Sequence, residues 1–268
     1  MSYQHIIYEL DKDTHVATIT LNKPERLNAI NAQDHLDLLE LCQHIQDDDD
    51  VWAIVWTGAG KGFCAGAEVG KGPVPKAIDE QNLNELLTED SWISRQGKAL
   101  YAIDKPMIAA VNGVAAGAGM SIALYCDLRV GSPDSRFVTV YQERCLPPEG
   151  GMSFLLSRIV GLSRAMDLSL TSRRVDADEA YRIGLLDRLV TADEVLPTAT
   201  QIAIRMCELP PAAVRVSKRA IRAGLNASFL EATRNETQYG SIIRRARQDV
   251  TESVQAFSEG RKPKYQGR

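Results

Sequence analysis

Residues 107–119 read MIAAVNGVAAGAG: the short apolar run Met107 to Val111 is followed at once by Asn112–Gly113–Val114–Ala115–Ala116–Gly117–Ala118–Gly119. A run of that length, apolar throughout, fits a strand covered on both faces. The small residues after it let backbone amides approach an oxygen, and a helix beginning near Ala118 turns its positive end to the same place.

The same plan occurs upstream. Val51 to Thr57 is a second buried-strand pattern running into the glycine loop Gly58 to Gly62 and then Phe63–Cys64–Ala65–Gly66–Ala67–Glu68. Between the two units a helical pattern from about Glu80 to Ile103 leads to Asp104–Lys105–Pro106. A third unit runs through Leu128 to Gly131, a strand Phe137 to Tyr141, a helix on either side of Gly161 and a strand near Leu185 to Val190. Repeated β, β, α modules predict an α/β fold with a spiral core.

At the N-terminal end, Ile6 to Leu10 and Val16 to Leu21 alternate around Asp11–Lys12–Asp13, the pattern of a half-buried hairpin. Asn31 is placed to cap a helix carrying Leu38, Leu41, Cys42 and Ile45 at helical spacing. That helix ends near Asp47 to Asp50, read as a solvated turn rather than a metal site because acids at a helix C-terminus oppose its dipole. From about Asp193 the signals are helical only, broken at Pro210–Pro211 and Gly224, with apolar stripes such as Ile242, Ile243, Val250, Val254 and Phe257. Such helices cannot bury their apolar faces alone and are expected to pack on the main body or on a neighbouring subunit. The expected division is a core with the site over residues 1–200 and a helical oligomerisation region over 201–268.

Composition bounds the function. With 44% hydrophobic and 25% charged residues the chain has the balance of a packed globular protein. A net charge of −4 supplies no general field for nucleic acid, and no basic stripe interleaved with aromatics appears. No run approaches the ~18 apolar residues of a membrane helix. Met1 to Leu10 lacks a targeting pattern, so the expected location is cytoplasmic. Cys42, Cys64, Cys126, Cys145 and Cys207 form no CxxC pair and read as reduced thiols in packed positions. His5, His15, His35 and His44 stand apart without metal-ligand spacing and read as surface or partly buried side chains.

The two glycine-rich segments match neither GxGxxG nor GxxxxGK[ST], which argues against a nucleotide phosphate. Two amides delivered this way can make an oxyanion hole. The residues by themselves leave that reading and close structural packing equally open.

Further motifs decide between them. Asn22–Lys23–Pro24–Glu25–Arg26–Leu27–Asn28–Ala29, Gly62–Phe63–Cys64–Ala65–Gly66–Ala67, Lys105–Pro106 leading to Asn112–Gly113, Cys126–Asp127 and Arg261–Lys262–Pro263–Lys264–Tyr265 resemble the enoyl-CoA hydratase/isomerase (crotonase) family over nearly the whole chain. The resemblance implies a ββα spiral core with a C-terminal trimerisation region, a homotrimer or dimer of trimers, and an acyl-CoA thioester substrate whose coenzyme A is part of the substrate, with no separate cofactor or metal. It implies that the N–H groups of Ala67 and Ala118 grip the thioester oxygen, with Gly66, Gly117 and Ser121 beside the substrate. Arg26, Leu27 and Ala65 are implied to line the path of the CoA adenine and phosphate.

The sequence departs from the hydratase pattern where it matters most. Hydratases of the family carry two glutamates that handle water; here those positions are Ser121 and Tyr141. Syn addition of water needs a base and an acid, and a phenol with a pKa near ~10 is a poor base at neutral pH. Glu143 is a candidate displaced substitute or a solvated side chain. Glu149, in Leu146–Pro147–Pro148–Glu149–Gly150–Gly151, reads from its residues alone as an acid in the first turn of a helix from Gly150 to Val160. Its resemblance to the single acidic residue of Δ3,Δ2-enoyl-CoA isomerases makes it the expected catalytic base, with Tyr141 beside it. Glu68 and Ala118 are two further departures, the latter carrying a methyl where a glycine is usual. Val69 to Asp90 is expected to border the acyl pocket, and Arg261, Lys262 and Lys264 either reach CoA phosphates or form a solvated tail. An enoyl-CoA isomerase leads, ahead of a hydratase or related addition–elimination enzyme and of a non-catalytic acyl-CoA-binding protein.

Overall fold

The structure is a computed structural model that describes residues 3–68 and 91–268; the expectations for Val69 to Asp90 fall outside them. Strands β1 (Ile6–Asp11) and β2 (Val16–Leu21) pair antiparallel as the expected hairpin. A 3-10 turn at Pro24–Arg26 leads to helix α1 (Ala32–Asp47), capped by Asn31 in a reciprocal capping box with Asp34.

Three strand pairs follow: β3 (Ala53–Gly58) with β4 (Gly62–Cys64), β5 (Met107–Val111) with β6 (Val114–Ala116), and β7 (Leu128–Gly131) with β8 (Arg136–Val138). The first strand of each pair joins a six-stranded sheet, ordered β1-β2-β3-β5-β7-β9, and the second joins a three-stranded sheet, β4-β6-β8. Apart from the hairpin every pairing is parallel, with Ile108 opposite Leu128 in the large sheet and Ala115 opposite Phe137 in the small one. Short links between paired strands step the chain from one sheet to the other in each turn of the spiral, which is the expected ββα architecture.

Helix α2 (Trp92–Ala102) precedes β5 and α3 (Ala118–Tyr125) follows β6. Then come α4 (Met152–Val160), α5 (Leu162–Thr171), α6 (Ala177–Arg182), β9 (Arg188–Leu189), α7 (Val195–Cys207), α8 (Pro211–Gly224), α9 (Phe229–Ile243) and α10 (Arg247–Glu259). The main core lies on one face of the large sheet, where Ile19, Ile54, Trp56 and Ala109 meet Leu38 and Leu41 of α1 and Phe63 and Phe137 of the small sheet. On the other face Val55, Ile108 and Val130 meet Val195, Ala199 and Ala203 of α7. The division expected after residue 200 therefore falls inside a helix whose buried face belongs to the sheet.

Two of the family-like motifs have structural work. The Lys105 ammonium is fully buried and donates to the carbonyls of Ile45 and Asp48 at the C-terminal end of α1, supplying donors that the last turn lacks. Asp127 accepts from the Met107 N–H at 2.8 Å and pairs with Lys218 at 2.7 Å and Arg222 at 3.1 Å, tying α8 to the core.

Several local expectations need correction. Tyr141 lies not in a strand but in a turn, because β8 stops at Val138 and Val140 takes φ 54, a left-handed angle that a β-branched residue adopts only under constraint. Helix α4 begins at Met152 rather than Gly150, since Gly150 (φ 57) and Gly151 (φ 73) are both left-handed. Cys145 is exposed rather than packed, and His35 is fully buried between α1 and α2, its Nδ1 3.3 Å from Gln96.

Candidate active site

The three parallel strands of the small sheet each run out at their C-terminal ends into one part of the site: β4 into Ala65–Gly66–Ala67, β6 into Gly117–Ala118 and β8 into Thr139–Val140–Tyr141. Clefts beyond the carboxyl ends of parallel strands are where α/β proteins gather ligands.

The first two segments press together as backbone. A methyl added at Gly66 (φ 94) would stand 2.6 Å from the Ala116 carbonyl oxygen and 3.4 Å from the Ala118 nitrogen, and one at Gly119 would overlap the Cys64 carbonyl. Ile30 donates to the Gly66 carbonyl and accepts from the Glu68 N–H, each at 2.8 Å. Alternation along the strand turns the intervening Ala67 N–H to the opposite side. Ala118 is the first residue of α3, so its N–H has no partner within the helix. Among the described residues no hydrogen bond is taken from either N–H. Two amides at adjoining backbone segments, one at a helix N-terminus, are the elements of an oxyanion hole.

The methyl of Ala118 does not disturb this arrangement. Residue 117 carries the unusual conformation (φ 48, ψ −117), and it is glycine; Ala118 is already helical.

Arg26 and Leu27 reach the site edge through the 3-10 turn. Leu27 (φ 49) accepts from the Ala65 N–H at 2.9 Å, and both Arg26 and Leu27 are exposed there. Asn28 locks that turn onto β4: its buried amide donates to the Gly62 carbonyl at 2.8 Å and the Ala59 carbonyl at 3.0 Å, and its carbonyl accepts from the Lys23 N–H at 2.8 Å. Glu68 pairs with Lys23 at 2.9 Å, and Lys23 pairs with Asp34 at 3.2 Å. These contacts of Lys23, Asn28 and Glu68 leave no mark in the local sequence, because their partners lie far along the chain.

Three side chains complete the candidate site. Ser121 Oγ, one turn into α3, lies 3.3 Å from the Tyr141 hydroxyl, and both residues are buried. Burial pushes the Tyr141 phenol up to about 12; the hydrogen bond from Ser121 works against that rise and the nearby Glu149 carboxylate works with it. Tyr141 is therefore un-ionised at physiological pH. Glu149, half-buried, precedes the two left-handed glycines, so it stands ahead of the first turn of α4 rather than within it. Glu143 is exposed in a 3-10 turn.

Arg261 is held by Glu252 at 2.6 Å and Glu259 at 2.6 Å on its own C-terminal helix. Among the described residues no group of three or more His, Cys, Asp or Glu is placed to share a metal ion, and no helix is long and apolar enough to cross a membrane.

Comparison with known proteins gives the family and the fold. The family model described as enoyl-CoA hydratase/isomerase covers residues 11–268. A short-chain-enoyl-CoA hydratase of Clostridium acetobutylicum is 34% identical over 255 residues, spanning 94% of this chain and 95% of that protein. A 1,2-epoxyphenylacetyl-CoA isomerase of Escherichia coli is 32% identical over 253 residues, spanning 94% and 95%. The crystal structure of an enoyl-CoA hydratase from Bacillus anthracis superposes with a TM-score of 0.88 at 28% identity, over 99% of this chain and all of that one.

Proposed function

The chain belongs to the enoyl-CoA hydratase/isomerase family, and from that premise we propose that this enzyme moves the double bond of a 3-enoyl-CoA to the 2-position with Glu149 as its one base. The carrying observation is the hydrogen-bonded pair of Ser121 and Tyr141 at the positions where the hydratase pattern has carboxylates, with Glu149 the carboxylate beside them.

In this reading the thioester oxygen lies between the Ala67 and Ala118 N–H groups. Glu149 removes a proton from C2, and the electron pair moves through C3 toward C4 as negative charge spreads onto the thioester oxygen. The hole holds this dienolate, and the protonated Glu149 returns the proton to C4 on the same face. Atoms and electrons balance without a redox cofactor, and coenzyme A arrives with the substrate. Tyr141, fixed by Ser121, occupies the space where a second acid–base group would manage water.

A hydratase is the second reading, favoured by the hydratase names among the relatives. One comparison separates them. Glu149→Gln is expected to lower conversion of 3-enoyl-CoA to 2-enoyl-CoA by about 10³-fold. Near-wild-type turnover would sink the base assignment, and hydration of crotonyl-CoA faster than isomerisation would favour the second reading.

The proposed assembly is a homotrimer or a dimer of trimers. In the single chain α9 and α10 leave Phe229 80% and Phe257 90% exposed, along with Leu230 and Val254, more apolar surface than a solvated helix pair keeps. Sedimentation of the purified protein as a monomer would overturn it.

A further inference from the structure

Resting on the reading of Glu149 as the base, we propose that Tyr125 is the positioning residue that sets its carboxylate, through a hydrogen bond to the backbone one residue further on. Tyr125 lies seven residues after Ala118 and four after Ser121, so all three share one face of α3. The hole, the polar pair and Tyr125 thus follow one another down the helix, with Tyr125 about 10 Å beyond the hole at the helical rise per residue.

Tyr125 is 4% exposed, and its hydroxyl donates to the carbonyl of Gly150. Burial, followed by the neighbouring Tyr141 and Tyr101, pushes the phenol up to about 12, so it remains a donor at physiological pH. The chain around that hydroxyl is cleared of side chains. A methyl at Gly151 would stand 2.6 Å from the Tyr125 oxygen; one at Gly97 of α2 would overlap that oxygen and lie 3.2 Å from the Gly150 carbonyl oxygen. Gly150 and Gly151 both adopt left-handed angles, and the Met152 N–H returns to the Glu149 carbonyl at 3.1 Å.

This bond bears directly on the base. The peptide between two glycines has no side chain to resist rotation, so its carbonyl needs an external partner to hold one orientation. Tyr125 is that partner. With the Gly150 carbonyl held, Glu149 has a fixed backbone from which to face Tyr141; without it, a displacement of about 1 Å at a reacting group is enough to cost on the order of 10²-fold in rate. The ring alone does not do this: its edge-on contact with Tyr101, centroids 6.5 Å apart, would survive in phenylalanine.

The test compares wild type, Tyr125→Phe, Glu149→Gln and the double variant, using a 3-enoyl-CoA substrate. Tyr125→Phe is expected to lower kcat by about 10- to 100-fold with KM changed by less than about threefold, while thermal unfolding and acyl-CoA binding confirm a folded protein. In the Glu149→Gln background Tyr125→Phe should lower the residual rate no further, because its effect runs through the missing carboxylate. A kcat for Tyr125→Phe within twofold of wild type overturns the inference, as does an equal loss in both backgrounds, which marks a purely structural role. Full activity of Glu149→Gln instead removes the base assignment beneath it. Gly97→Ala gives a second approach: it should lower kcat in the presence of the Tyr125 hydroxyl and lower it less in the Tyr125→Phe background, where the overlap with that oxygen is gone and the 3.2 Å contact with the Gly150 oxygen remains, and equal losses in the two backgrounds overturn the inference.

Discussion

The site combines one side built of backbone, Ala65–Ala67 and Gly117–Ala118, with a second built of three side chains, Ser121, Tyr141 and Glu149, carried by a helix, a turn and a loop. The first side depends on glycine at particular angles and on close approach, since Gly66 and Gly119 leave no room for a methyl against Ala116 and Cys64. The identity of Ala67 or Ala118 matters little there, because an N–H is the same in every residue except proline. The second side depends on which side chains are present, and here the enzyme differs from the hydratase pattern. In the proposed reading the enzyme keeps a hole built of backbone and changes the proton chemistry carried by side chains.

The largest effect is expected at the base. Glu149→Gln should reduce isomerase kcat by about 10³-fold, within the range of general acid–base catalysis, while acyl-CoA binding persists. A loss confined to binding, measured by titration with a non-reactive acyl-CoA, would show that both sides serve only to hold substrate. Next in size is Gly117→Ala. Forcing a side chain into φ 48, ψ −117 should cost about 1–3 kcal/mol in thermal stability and move the Ala118 N–H, with about 10²-fold lost from kcat. Unaltered kinetics in that variant would detach the hole from catalysis.

Tyr141→Phe should be milder. Removing the hydroxyl bonded to Ser121 takes away one hydrogen bond worth about 0.5–1.5 kcal/mol, so kcat should fall less than about tenfold. A collapse as deep as that of Glu149→Gln would reverse the assignment of base and neighbour.

Alkaline titration probes Tyr141 alongside two other phenols. Tyr8, Tyr125 and Tyr141 are each raised from 10.0 to about 12, burial being the first cause. Between those values the native state holds more protons than the unfolded chain, so the stability these phenols contribute is complete below pH ~10 and is lost as pH rises through about 12. Absorbance near pH ~11 should show them still protonated in the folded protein, and Tyr141→Phe should remove one late-ionising group.

The smallest effect should come from Ala118→Gly. Residue 118 is already helical, so the change should cost no more than about 1 kcal/mol of stability and leave kcat nearly unchanged. Paired with Gly117→Ala, it tests whether the special backbone position lies at 117 or 118.

Much of this was legible in the order of residues. The hairpin, the Asn31 cap and the buried strands at Ala53–Gly58 and Met107–Val111 stand where their patterns place them, whereas the short strands β4 and β6 lie inside stretches that read only as glycine-rich loops. Tyr141 was legible as a departure but not as a turn residue. The pattern of Phe137 to Tyr141 continues a strand, whereas the chain turns at Val140 because its environment holds that residue in a left-handed conformation. Glu149 was legible as an acid before glycines. Its place ahead of α4 rather than in its first turn depended on the angles of Gly150 and Gly151, which glycine permits but does not dictate.

By itself, then, the sequence determined features governed by neighbours a few residues apart: helical and strand periodicity, the cap, and the points where only glycine fits. Tertiary structure alone decided what required distant groups to meet. Asn28 reaches the carbonyl of Gly62, 34 residues away, and Tyr125 reaches that of Gly150, 25 residues away. Neither meeting leaves a local pattern, because a backbone carbonyl is present at every position and only the packed fold selects which one a side chain will find.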